Sequence, residues 1–194
     1  MGRTPAALFG YLCAFVAVAT PAAAFSEIDP LTRQPLYGND QAFRAQASPV
    51  PREVVSFDAR YAPGTIIIST GERRLYYVLG EGKALRYGVG VGRPGFTWGG
   101  TQAISRKREW PDWRPPAAML KRRPDLPRHM AGGPDNPLGA RAMYLGSSIY
   151  RIHGSNEPQT IGQAVSSGCI RMTNEDVVDL YSRVKVGAKV VVLD

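Results

Sequence analysis

From residue 64 onward the chain sorts its apolar and polar positions with a period of two. Leu85, Tyr87, Val89 and Val91 alternate with Arg86, Gly88, Gly90 and Gly92, which predicts a strand with one apolar face. The glycines on its other face predict close approach by another chain segment or a ligand. Upstream, the runs TIIIST and RRLYYVL flank a turn at Gly71, the signal of a hairpin built from β-branched and aromatic residues. TQAISRKREW, AMYLG, IYRIHG and KVVVLD are further strand candidates, and IYRIHG carries His153 at its end.

A single segment has a convincing helical period. Thr173 and Asp176 have the spacing of a capping box, with Asp in the usual Glu place. Val177, Val178, Tyr181 and Val184 follow at helical spacing, and Gly187 turns the chain into the last strand. Between the strands, residues 111–139 form a long Pro- and Gly-rich excursion, the kind of loop that serves as a lid or binding surface. Residues 25–57 lack sustained periodicity and read as an irregular arm. The pattern predicts a mostly β domain over residues 58–194, with one helix beside Cys169.

The first residues change where this domain is expected to work. Arg3 precedes an apolar run from Ala6 to Ala19, and Ala22, Ala23 and Ala24 follow in an A-x-A arrangement, the three-part pattern of a secretory signal peptide cleaved after Ala24. The run is shorter than the roughly 20 apolar residues of a span and is broken by Gly10, with Pro21 just beyond it, so no stable membrane insertion is expected after cleavage. GYL precedes Cys13 where a lipoprotein signal would have small residues. Removing Arg3 from the formal charge of +8 leaves +7. Nucleic acid is the usual partner of such a balance, but export argues against it. The basic runs at residues 106–108 and 121–123 fit anionic envelope surfaces or plain solvated loops.

Signal removal also takes Cys13 away and leaves Cys169 as the one thiol of an exported chain. No intramolecular disulfide can form, and a lone thiol in an oxidising compartment is either buried and inert or reactive. A cysteine nucleophile needs a base, oxyanion donors and room for a carbonyl. His153, sixteen positions upstream, ends a strand and is rigidly placed to be that base, with the Gly154 carbonyl free to fix its tautomer. The N–H groups of Gly168 and Cys169 can face an oxyanion. Arg171 can stabilise the thiolate or hold a substrate carboxylate. Ser166 and Ser167 are candidates, with Arg171 and Gly168, for contacting substrate or the oxyanion, or else plain loop polars, and His129 lies in the Pro-rich excursion. One cysteine and two separated histidines make a poor zinc set, so neither metal nor cofactor is expected.

The stretch HGSNEPQTIGQAVSSGCIRMTNEDVVDLY resembles the signature of the L,D-transpeptidase catalytic domain (YkuD, or ErfK/YbiS/YcfS/YnhG, type). There a His-Gly-Thr-like segment is followed by Ser-x-Gly-Cys-x-Arg, and the likeness extends more loosely over residues 60–194. It implies a β-sandwich domain acting in the periplasm on peptidoglycan stem peptides, as donor and as acceptor. Cys169 matches the family nucleophile, His153 its base, Gly154 the residue whose carbonyl orients that base, and Arg171 the motif arginine. The implied reaction is attack between the L-centre of diaminopimelate and a terminal D-Ala, release of D-Ala, and transfer of the acyl group to an amine. The amine belongs to a second stem or to an envelope protein; with water instead, the enzyme is an L,D-carboxypeptidase. A catalytically silent wall-binding protein is the non-enzymatic alternative. Two positions depart from the pattern: Ser167 stands where many members have a second histidine, and Ser155 replaces the common threonine. Activity is expected to fall as pH drops below the pKa of the Cys169 and His153 pair.

Overall fold

The computed structural model describes residues 48–194. The expected signal segment 1–24 and most of the 25–57 arm therefore lie outside the described residues. Strands β1 (Glu53–Ser56), β2 (Ile66–Ser69), β3 (Arg74–Gly80) and β4 (Lys83–Gly88) come first, followed by β5 (Val91–Gly92) and the long β6 (Gly100–Glu109). A short helix α1 (Ala117–Arg122) precedes β7 (Arg141–Leu145), β8 (Arg151–His153), β9 (Ala164–Ser166) and β10 (Ile170–Arg171). The main helix α2 (Asn174–Arg183) and β11 (Lys189–Leu193) close the order. The chain is mostly strand, with its main helix directly after Cys169.

Nine strands share one hydrogen-bonded sheet in the order β1-β4-β3-β2-β11-β6-β7-β8-β10, while β5 and β9 form a separate pair. The Ile-rich run pairs with β3 as the hairpin signal predicts, Ile67 opposite Tyr76. β11 lies between β2, to which it runs parallel, and β6, to which it is antiparallel. β6 serves both halves of the sheet: its first residues pair with β11 and its later ones with β7. The halves close on one core. Ile66, Leu75 and Tyr87 come from one side, Met143, Leu145, Ile152 and Ile170 from the other, and Val177, Leu180 and Val184 from α2 and its end. Each such buried aliphatic side chain contributes about 1.5–3 kcal/mol relative to exposure.

A β-bulge in β6 decides which residues face that core. Ile104 pairs with Leu145, but the next aligned residue, Arg106, pairs with Tyr144, so Ser105 is the extra residue. Its hydroxyl donates to the carbonyls of Tyr144 (3.3 Å) and Gly146 (2.7 Å). The bulge shifts the phase of alternation. Ile104 stays in the core, Arg106 and Arg108 turn to the outer face, and Lys107 turns inward. There Lys107 Nζ donates to the carbonyls of Tyr181 and Val184, both at 2.7 Å. A cation thus satisfies orphan carbonyls at the negative end of α2.

Three expectations need correction. The alternation over residues 85–92 predicts one strand, but the chain leaves β3 after Gly88, and Val91 and Gly92 pair with β9 instead. The reason is the close approach that the glycines signalled: Gly90 exchanges both backbone hydrogen bonds with Arg171, at 2.8 and 2.9 Å, and a Cβ there would lie 3.0 Å from the Thr160 carbonyl oxygen. The arm read as irregular to residue 57 contains β1, which pairs with β4 at the edge of the sheet, Val54 opposite Leu85. The 111–139 excursion, read as a loop, has ordered structure of its own. It contains α1, a backbone bridge between Trp113 and Met130, and buried Asn136, whose amide donates to the carbonyls of Pro111, Met130 and Ala131. Among the described residues, no helix is long and apolar enough to cross a membrane.

Candidate active site

The pairing of β8 with β10 sets the geometry. The strands run parallel with Ile152 opposite Ile170 and His153 opposite Arg171, and the Met172 N–H donates to the His153 carbonyl at 2.8 Å. Aligned residues of a parallel pair face the same side, and successive residues alternate. Ile152 and Ile170 fill the core, so His153 and Arg171 face away from it. Cys169, one step before Ile170, continues the register across from Arg151, whose backbone N–H is directed at the sulfur. Arg151, His153, Cys169 and Arg171 therefore make a two-by-two block on one face of two adjacent strands. His153 and Cys169, sixteen positions apart in the chain, are diagonal neighbours on two adjacent strands in the fold.

His153 is 4% exposed. Its Nδ1–H donates to the Gly154 carbonyl oxygen at 2.5 Å, because that oxygen can only accept, and this leaves Nε2 as the basic nitrogen. Burial, then the charges of Arg171 and Arg151, push the imidazole pKa down to about 3. The ring is neutral at ordinary pH and ready to take a proton. Gly154 has no room for a side chain, since a Cβ would run into Asn174 Oδ1. That oxygen accepts the Ala140 N–H at 2.8 Å, while Asn174 Nδ2 donates to the Ser155 carbonyl at 3.0 Å. Thr173 caps α2 as the sequence predicts, accepting the Asp176 N–H at 3.2 Å. The start of α2 is thereby fastened to the residues that follow His153.

The loop before Cys169 is braced from both sides. Ser166 Oγ accepts the Gly168 N–H at 3.0 Å and donates to the Cys169 carbonyl at 2.6 Å. Trp98 Nε1 donates to the Gly168 carbonyl at 2.8 Å, and its ring stacks on Tyr150 at 4.6 Å. Gly168 has φ of 106° and a Cβ there would strike the Tyr150 ring. Both features require glycine. Ser167 Oγ accepts from Arg93 at 3.4 Å. This corrects the expected oxyanion pair: Gly168 N–H is engaged by Ser166, and Cys169 N–H remains as the donor without an acceptor among the described residues. Ser166 and Ser167 thus act on the loop itself. Cys169 is half-buried. Burial raises its thiol pKa, opposed by the charge and N–H of Arg151 and then by the charge of Arg171.

Arg171 is held at both ends. Its backbone is bonded to Gly90, and its guanidinium donates to Glu157 at 2.9 Å. The charge expected to meet the thiolate or a substrate is thus partly answered from within the loop. His129 is not drawn into the block: it contacts Asp112 at 3.2 Å inside the Pro-rich excursion. Glu157, Asn174, Trp98, Tyr150 and Arg151 were not singled out in the sequence. Only Arg151 had a local signal, being two residues before His153 on the same strand and hence on its face.

A family model described as the L,D-transpeptidase catalytic domain (YkuD) matches residues 63–192. The chain is 37% identical over 138 residues to the probable L,D-transpeptidase ErfK/SrfK of Escherichia coli (strain K12), covering 66% of this chain and 44% of that protein. It therefore spans less than half the length of that curated relative. A solved structure described as a probable carnitine operon oxidoreductase from Brucella melitensis is 46% identical, covers 76% of this chain and 96% of its own, and has a TM-score of 0.51. An L,D-transpeptidase from Mycobacterium smegmatis, 17% identical, covers 69% of this chain and 59% of its own, with a TM-score of 0.56. That last likeness is one of fold.

Proposed function

Since the chain belongs to the L,D-transpeptidase catalytic domain family, we propose that it is a cysteine acyltransferase acting on peptidoglycan stem peptides in the periplasm. In this reading residues 1–24 direct export, residues 25–57 are an arm, and residues 58–194 are the catalytic domain. One observation carries the chemistry: the His153 Nδ1–H is committed to the Gly154 carbonyl, so the neutral ring keeps Nε2 as acceptor on the face that holds Cys169.

Both partners rest uncharged, because burial lowers the imidazole pKa and raises that of the thiol. The proton therefore moves as the sulfur attacks, when negative charge passes to the substrate. Cys169 Sγ bonds to the carbonyl carbon between the L-centre of diaminopimelate and D-Ala, and the thiol proton goes to His153 Nε2. The oxyanion takes the Cys169 N–H. Collapse breaks the C–N bond, His153 returns the proton to the departing amine of D-Ala, and a thioester remains. An amine of a second stem then attacks the thioester carbonyl, loses a proton to His153, and the thiol is regenerated. Ser167 does not replace the histidine found there in many members. It anchors Arg93, and His153 serves as base in both steps.

The test uses tetrapeptide-bearing muropeptides with the mature protein. D-Ala release together with dimers supports transfer to a second stem; tripeptide without dimer assigns hydrolysis, and an adduct on an added envelope protein assigns that acceptor. Absence of all three products, in wild type and Cys169→Ala alike, overturns the reading.

A further inference from the structure

One row of side chains leads across the sheet to Cys169, and its arginines have no substrate contact in the steps above. The bulge at Ser105 turns Arg106 outward opposite Tyr144, and Tyr144 lies opposite Arg151; continuing the β8–β10 register by one residue sets Arg151 across from Cys169. The row crosses β6, β7, β8 and the residue before β10 in a straight line that ends at the sulfur. Both guanidinium groups lie against the Tyr144 ring, Arg106 at 4.1 Å and Arg151 at 5.4 Å from its centroid. Such contacts hold a planar cation in place while leaving its N–H edges free.

Neither arginine forms an ion pair with a carboxylate among the described residues. Arg151 Nη2 has only the Ile149 carbonyl at 3.3 Å, and its Nε–H is buried without any acceptor. The contrast with Arg171, which holds Glu157, is direct. A buried donor without a partner, on a positive group held in place and without a carboxylate, suits an anionic ligand.

We infer that Arg151, backed by Tyr144 and Arg106, is the subsite that binds the terminal carboxylate of the residue leaving the donor peptide. This rests on the acyltransferase reading. Neighbouring strands are about 4.8 Å apart, and a carboxylate one residue beyond a scissile carbonyl is about 3–4 Å from that carbon. A carbonyl seated at Cys169 therefore places that carboxylate at Arg151, while Arg106 lies two strands further out and adds charge. The arrangement selects donors ending one residue after the cleaved bond, because a longer peptide has an uncharged amide at that point.

The test compares two synthetic tetrapeptide donors, one with a free C-terminal carboxylate on D-Ala and one with a C-terminal carboxamide, by kcat/KM for release of D-Ala or D-alaninamide. Wild type is expected to favour the free acid by about tenfold or more, the scale of a charge-assisted pair. Arg151→Gln should bring that ratio near one, Arg151→Lys should restore part of it, and Arg106→Gln should lower it a fewfold. The ratio is a property of folded enzyme only, so loss of folded protein cannot produce this result. If Arg151→Gln is inactive on both donors, the Arg151→Lys and Arg106→Gln ratios decide, and wild-type ratios in both overturn the proposal. So does a wild-type ratio near one, or an unchanged ratio in an active Arg151→Gln. Failure of wild type to release anything from either donor instead overturns the acyltransferase reading.

Discussion

Asn174 Oδ1 occupies the space that a side chain on Gly154 would need, and the same oxygen accepts the Ala140 N–H. The first residue of α2 is thus packed against the residue whose carbonyl holds the His153 ring. Gly154→Ala must push Asn174 out of place, and Asn174→Ala leaves the Ala140 N–H and Ser155 carbonyl unpaired inside the protein. Either change is expected to cost about 2–5 kcal/mol, lowering the melting temperature by about 5–15 °C. Calorimetry checks it; a melting temperature within a degree of wild type would show that the clamp carries no energy.

The resting thiol and imidazole are both neutral, which sets a pH signature. Alkylation of Cys169 by iodoacetamide is expected to rise by about tenfold per pH unit from 6 to 9 and to continue rising above 9, because only the thiolate reacts. A thiolate-imidazolium pair would instead give a plateau reaching down to acidic pH. The sequence alone implies that activity falls as pH drops below the pKa of the Cys169 and His153 pair. Burial of the thiol moves that fall to higher pH, and burial has no local signature in HGSNEP or SSGCIR.

Stability should follow the same histidine. The folded pKa of His153 is about 3, below the ordinary 6.5, so between these values the unfolded chain binds the extra proton. Its contribution is fully present above pH 6.5 and is lost as pH falls toward 3. Denaturant titrations of wild type and His153→Gln across this window should diverge, wild type losing stability more steeply. Parallel curves would remove His153 from the account.

Glu157→Gln should loosen Arg171 and leave its charge unanswered beside the thiol. Alkylation of Cys169 at pH 8 is expected to quicken by about two- to fivefold as the thiol pKa falls, with little change in stability, because Glu157 is exposed and such pairs are weak. A slower reaction in the variant would mean that Glu157 acts on Cys169 in another way.

Lys107→Met removes the cation from the end of α2 and leaves the Tyr181 and Val184 carbonyls without their donor. A loss of about 1–3 kcal/mol is expected in urea unfolding. Lys107→Arg should recover part of it.

Much of this design was legible in the sequence, and what was missed shares one cause. The β2–β3 hairpin, the terminal strand, the Thr173 cap and the apolar face of α2 follow from periods and caps that lie within a dozen residues. The break after Gly88, the pairing of β1, the Ser105 bulge and the Asn174 clamp depend on partners far away in the chain. Asn174 follows a helix cap, where a polar residue reads as solvated; only the packing of Gly139 and Gly154 against it makes it buried. Gly168 was singled out correctly as a glycine, but its N–H was assigned to substrate because the Ser166 hydroxyl two residues away could as well have faced solvent.

The place of β11 has a consequence in time. It is the sole strand joining the β1-β4-β3-β2 half to the β6-β7-β8-β10 half, yet it is made after both. Until residues 189–193 have emerged, β2 and β6 are two open edges, and the residues that will form one core belong to unconnected halves. Non-local pairing of this kind is slow. The two halves therefore cannot join in one sheet until residues 189–193, which follow every other described strand, have been made.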